Sequence, residues 1–114
     1  MKNVIDVRHY VNRAGNDVFD DWLTELADAR AQAKIANRIN RPAAGNFGDC
    51  KSLRHGVFEL RIDWGPGYRV YYGMIRKECV LLLCGGDKRK QPADIARALE
   101  YLRDYRDRSG SHET

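Results

Sequence analysis

The chain has 114 residues, 43% of them hydrophobic and 32% charged, with a net charge of +4 at pH 7. That length holds one domain with its own core, leaves no room for a second, and needs no disulfide or metal staple. The three cysteines, Cys50, Cys79 and Cys84, are an odd set without Cys-x-x-Cys spacing, which argues against a disulfide framework or zinc site and for a reducing compartment.

The charge is unevenly spread. Residues 1–28 carry three basic and six acidic side chains, leaving 17 basic and 10 acidic for 29–114, a surplus of seven positive charges. Such asymmetry favours a polyanionic partner, nucleic acid first, or an acidic protein. The opening Met-Lys-Asn-Val-Ile-Asp has no apolar signal stretch, and the longest apolar run, Cys79 to Cys84, is far too short to span a bilayer. A cytoplasmic protein without a membrane partner is expected.

Val4 to Val11 reads as a first strand, ended by Asn12-Arg13-Ala14-Gly15-Asn16. Asn16 or Asp17 can cap a first helix whose apolar face is Val18, Phe19, Trp22, Leu23 and Leu26. A second helix is expected from Asp28 to Arg41, with Pro42 as its stop. Arg30, Lys34, Arg38 and Arg41 step along one of its faces, either as a solvated stripe or as a track for phosphates or an acidic partner. Ala43 to Asp49 reads as loop, and Cys50 to Arg54 is either a short edge strand or irregular.

From Val57 the residues alternate, Phe58, Leu60, Ile62 and Trp64 facing one way and Val57, Glu59, Arg61 and Asp63 the other. Gly65-Pro66-Gly67 supplies a turn into a second alternating run from Tyr68. A three-residue loop pairs Trp64 with Tyr68, Ile62 with Val70, Leu60 with Tyr72 and Phe58 with Met74. The same register sets Arg61 across from Tyr71, Asp63 across from Arg69 and Glu59 across from Gly73, on a polar face that either pairs Asp63 with Arg69 at the surface and lays Tyr71 against the last helix, or holds an RNA strand. Cys79 to Cys84 is apolar throughout, as in a central strand covered on both faces, and the first strand is its expected parallel neighbour. After the basic loop 85–91, Pro92 fits the start of a last helix that buries Ile95, Leu99, Leu102 and Tyr105. The tail 107–114 has no apolar residue and reads as disordered, so the domain is 1–106.

The resulting class is α+β: a small mixed sheet in the order β-α-α-β-β-β-α, with a short extra edge strand allowed near 50–54 and helices packed on the sheet. His9, His55 and His112 are scattered without ligand spacing, so no metal site is expected. Gly85-Gly86-Asp87-Lys88 lacks the spacing of a phosphate-binding P-loop. A basic and aromatic set remains on the odd face. Arg61, Arg69 and Tyr71 form its centre, with Lys51, Arg54 and the loop Lys88-Arg89-Lys90 at strand ends, suited to arginine forks on phosphate and a base stacked on tyrosine.

Four separated motifs, Gly45-Asn46-x-Gly48-Asp49-x-Lys51-x-Leu53, Gly56-Val57-x-Glu59-Leu60-Arg61-Ile62, Gly65-Pro66-Gly67-Tyr68-Arg69-Val70-Tyr71-Tyr72 and Gly85-Gly86-Asp87-Lys88-x-x-Gln91-x-x-Asp94-Ile95, resemble the addiction-module killer proteins. These are RelE/HigB toxins of bacterial type II toxin-antitoxin systems. The resemblance spans residues 4–105. It implies a RelE-like fold and a ribonuclease that cuts messenger RNA, commonly in the ribosomal A site. It also implies a helix-turn-helix antitoxin partner and chemistry without metal or small-molecule cofactor, the 2′-hydroxyl attacking its own phosphate.

By motif position the resemblance matches Arg61, Arg69 and the pair Lys88 and Arg89 to the family site; Arg61 and Arg69 are expected on phosphate and the transition state, and Lys88 or Glu59 in proton transfer. Lys51, Arg54, Tyr68, Tyr71, Arg89, Lys90 and Gln91 are expected to bind RNA. Some relatives carry Lys-x-Lys where this chain has Glu59-x-Arg61, and Ile95 stands near their tyrosine of the last helix. The rival expectations are a gyrase inhibitor of the ParE type and an accessory protein that binds only nucleic acid or an antitoxin.

Overall fold

The computed structural model describes residues 5–43, 48 and 50–109. Strand β1 is Asp6–His9, followed by helices α1, Val18–Glu25, and α2, Ala29–Ala43. Four strands follow, β2 Cys50–Ser52, β3 Val57–Ile62, β4 Tyr68–Ile75 and β5 Cys79–Asp87. A single 3-10 turn, Lys88–Lys90, leads into α3, Gln91–Arg108. The sheet order is β1-β5-β4-β3-β2, with β1 parallel to β5 and every other neighbour antiparallel. The expected edge strand therefore exists at Cys50–Ser52, and β5 has β1 on its free side.

Alternation divides the core in two. Even residues Leu60, Ile62, Val70 and Tyr72 meet Phe19, Ile35 and Ile39 of α1 and α2. On the opposite face Val57, Tyr71, Leu81, Leu83 and Cys84 meet Ala98 and Leu102 of α3. A bulge in β5 contributes to this: Tyr71 pairs with Cys84 and Tyr72 with Leu82, so Leu83 is the extra residue. Leu83 and Cys84 both join the α3 side as a result. Asp17 caps α1, its carboxylate accepting the Asp20 amide at 3.0 Å.

Three expectations change. The hairpin register is Ile62 with Tyr68, Leu60 with Val70 and Phe58 with Tyr72, two residues from the one expected. Trp64 leaves the strand for the turn: its carbonyl accepts the Gly67 amide at 3.0 Å, and Gly65 and Gly67 take φ of 56° and 84°. The Lys34 ammonium lies 4.6 Å from the centroid of the Trp64 ring. A shift of two keeps every side chain on its face but renews the pairs, so Arg61 lies opposite Arg69 and Glu59 opposite Tyr71. Second, α3 covers the odd face, Tyr71 lying against it, and the burial extends to Glu59. Third, α2 continues through Pro42 to Ala43, and α3 runs through Asp107 to Arg108. In the expected basic stripe of α2, Arg38 is buried. The start of the first strand at Val4, most of the 43–49 loop and the tail 110–114 lie outside the described residues.

Candidate functional site

The odd positions of β3 and β4 bring two rows of side chains under the start of α3. One row across the sheet is Lys51, Glu59, Tyr71 and Cys84, and the next is Arg61, Arg69 and Gly86. Like charges directly opposite on a sheet repel, so Arg61 beside Arg69 needs a counterion. Glu59 provides it. Arg61 Nε donates to Glu59 Oε1 at 3.2 Å, and Arg69 Nε lies 3.9 Å from Oε2. Gln91, the first residue of α3, donates Nε2 to the same Oε2 at 2.7 Å. The Glu59 side chain is only 1% exposed, whereas Arg69 is 16% and Arg61 38% exposed.

The loop after β5 adds a third cation. The Lys88 amide donates to the Gly67 carbonyl at 2.9 Å. A Cβ at Gly67 would sit 3.4 Å from Lys88 Cδ and 3.5 Å from Arg69 Nη1, so the two side chains flank that glycine. Arg61 and Arg69 therefore share one buried carboxylate, and Lys88 joins them at the same end of the hairpin beside Gly67.

Behind them lies a polar pocket in the α3 core. Gly86 has no side chain, and the Asp94 carboxylate fills the space where a Cβ would stand. Asp94 Oδ2, Tyr71 Oη and Arg69 Nε are buried without a hydrogen-bond partner. Burial, then the neighbouring Glu59 and Asp94, push the Tyr71 phenol up, while Arg69 pulls it down. Burial also raises the Asp94 carboxyl, against the pull of Arg97 and Lys90. The folded protein thus holds the Asp94 proton more tightly than the unfolded chain does. That contribution to stability is complete below the unfolded pKa and is lost as pH rises through the folded one. Asp94→Asn is accordingly expected to stabilise the protein at neutral pH, on the order of 1 kcal/mol. Urea unfolding should show the gain shrinking to nothing in acid, where the wild-type carboxyl is neutral. An equal gain at every pH would rule out ionisation as its cause.

Several expected site residues stand elsewhere. Tyr71 is 0% exposed in the α3 core, so it cannot stack a base. Tyr68 lies on the other face, its ring 6.1 Å from Trp22. Gln91 is committed to Glu59, and Arg89 folds back on Asp87, Nη2 to Oδ2 at 3.0 Å. Glu59 is enclosed, hydrogen-bonded to Arg61 and Gln91 with Arg69 at 3.9 Å. Lys51, Arg54 and Lys90 are exposed. Asp94 was legible only as an acid in the first turn of a helix. The signal for its burial was Gly86, one glycine too many for a central strand.

Together these features define a small α+β protein with a helical layer on each face of one mixed sheet and a cation cluster at the hairpin end. Among the described residues, no helix is long and apolar enough to cross a membrane. No protein-family model matches the chain. An uncharacterized protein of Haemophilus influenzae is 56% identical over 80 residues, covering 70% of this chain and 81% of that protein. The chain belongs to the same family as that protein. An aligned stretch of 80 in a chain of 114 leaves 34 outside, so it includes residues 35–80 wherever it begins. Strands β2, β3 and β4, with Glu59, Arg61 and Arg69, lie inside that stretch.

Proposed function

We propose that this protein is the toxin of a type II toxin-antitoxin module, a metal-independent endoribonuclease of the RelE/HigB type that cuts messenger RNA on the ribosome in the cytoplasm. A helix-turn-helix antitoxin would neutralise it by covering the basic end of the sheet. The observation that carries the reading is the pairing of Arg61 with Arg69 across the hairpin, with Lys88 beside them and Glu59 buried between. The element order of a strand, two helices, four strands and a helix supports a RelE-like fold.

The chemistry asks for orientation, charge stabilisation and proton movement. The 2′-oxygen forms a bond to its own 3′ phosphorus while the bond from phosphorus to the 5′-oxygen breaks, giving a 2′,3′-cyclic phosphate and a 5′-hydroxyl. The phosphorane gains negative charge as this happens, and two guanidinium forks held in place beforehand stabilise it without reorganising. Lys88 is exposed and carries a proton for the departing 5′-oxygen. The proton of the 2′-hydroxyl passes to solvent, because Glu59 is enclosed.

Purified protein added to translating ribosomes with a defined message should produce new 5′-hydroxyl ends matched by 2′,3′-cyclic phosphates. Intact messages together with accumulated gyrase-DNA breaks on expression would replace this reading with gyrase inhibition. Intact messages and unaffected growth would leave a binding protein only.

A further inference from the structure

The turn between β2 and β3 builds a second basic feature, apart from the cluster at Arg61. His55 and Gly56 both take positive φ, 53° and 86°, and the Val57 amide donates to the Arg54 carbonyl at 3.0 Å. The β-turn centred on His55 and Gly56 lies in a three-residue connection, since the Leu53 amide donates to the Val57 carbonyl at 2.9 Å. It comes against the C-terminal half of α3, where a Cβ on Gly56 would lie 2.9 Å from Arg106 Nη2 and 3.5 Å from Leu102 Cδ2. Between turn and helix is a cleft of about 520 Å³ lined by Arg54, His55, Arg103 and Arg106, with Leu99 and Leu102 as an apolar side and Asp107 as the one acid.

The balance of charge in the cleft is unusual for this molecule. Arg61, Arg69, Arg89, Arg97 and Arg108 each face a carboxylate. Among the described residues, Arg54, Arg103 and Arg106 form no ion pair. Three unpaired guanidiniums lining one cleft against a single carboxylate, Asp107, suit an anion with planar oxygens, and the leucines beside them suit an apolar or aromatic group. A nucleotide offers both.

Position makes the occupant more definite. Gln91 marks the Glu59 site at the start of α3, and Arg106 lies 15 residues further along, about 22 Å at about 1.5 Å per residue. Lys51 stands beside the first of these, exposed on the α3 side of β2 opposite Glu59. From the start of α3 toward its end, the basic groups follow in the order Arg61, Arg69 and Lys88, then Lys51, then Arg54, Arg103 and Arg106.

We propose that the cleft between the Arg54–Gly56 turn and α3 is a second subsite for the same RNA strand. It takes a backbone phosphate a few nucleotides from the scissile bond on Arg54, Arg103 and Arg106, with a base against Leu99 and Leu102. This rests on the ribonuclease reading above. It deepens that reading by assigning a single-stranded RNA segment, rather than one dinucleotide step, as the unit bound.

The test uses 2′-O-methyl RNA, whose blocked hydroxyl cannot attack, as a dinucleotide and as an octanucleotide, with affinity read by fluorescence anisotropy across a salt series. The parent should bind the longer strand more tightly. The R103A/R106A variant should lose at least about tenfold of that affinity, the effect of one charge-assisted contact, and about 0.7 of salt slope per phosphate contact removed. Its dinucleotide affinity should be unchanged. R54A should act in the same direction, and the His55 imidazole resonances should shift with the octanucleotide but not with the dinucleotide. Equal affinity and slope in parent and variants would overturn the subsite. If the variants bind RNA normally and unmodified RNA is cut, the cleft fails and the ribonuclease stands. If the length-dependent affinity disappears in the variants but neither free RNA nor a message on translating ribosomes is ever cut, the cleft stands and the ribonuclease reading fails.

Discussion

Arg61→Ala is expected to lower the rate of RNA cleavage about 10²–10³-fold, the usual cost of removing one fixed donor from a developing oxyanion. Its Nε is engaged by Glu59, and its remaining guanidinium donors have no partner among the described residues. The side chain is therefore aimed by one hydrogen bond and free to make others. Removal leaves Glu59 with Gln91 and the more distant Arg69, so stability should fall by about 1–3 kcal/mol, and cleavage should be compared at equal folded fraction. Arg61→Lys keeps the charge and loses the planar fork, and is expected to recover only part of the rate. Cleavage by Arg61→Ala at the parent rate on translating ribosomes would remove the pairing of Arg61 and Arg69 from the mechanism.

Much of the frame could be read before the structure because period-two alternation carries the face of every residue, and a register slip of two leaves that face intact. The apolar run of β5 placed that strand at the centre for a simple reason: six consecutive apolar residues need cover on both sides. Pair identities were less legible. They depend on whether Trp64 continues the strand or turns, and two glycines able to take positive φ allow the turn, with Lys34 of a distant helix against the Trp64 ring. The nature of the odd face was also hidden. Glu59, Arg61 and Arg69 read as surface groups even where Tyr71 could be set against the last helix, since charged residues rarely lie under a helix. Burial became possible because the charges neutralise one another locally, Glu59 against two arginines and Gln91, and because Gly86 makes room for Asp94.

That arrangement makes Glu59 the most sensitive position in the site. Glu59→Ala is expected to destabilise the protein by about 3–5 kcal/mol, since it leaves Arg69 close to Arg61 without a counterion and strips Gln91 of its acceptor. Urea unfolding measures this directly. The more discriminating variant is Glu59→Gln, which keeps an oxygen for Gln91 and removes only the charge. If Glu59 were the base for the 2′-hydroxyl, the glutamine variant would lose cleavage almost entirely, together with any acidic limb of the rate that reports a carboxylate. A carboxylate that only aims two arginines predicts otherwise. The rate should drop in proportion to the loosened guanidiniums, any acidic limb should persist at the same pH, and weaker RNA binding should account for part of the loss. A double-mutant cycle with Arg69→Ala would then show strong coupling, because once Arg69 is gone the charge at position 59 has less left to orient. Independent, additive losses would return Glu59 to the reacting atoms and require the α3 cover over the hairpin to open before RNA is cut.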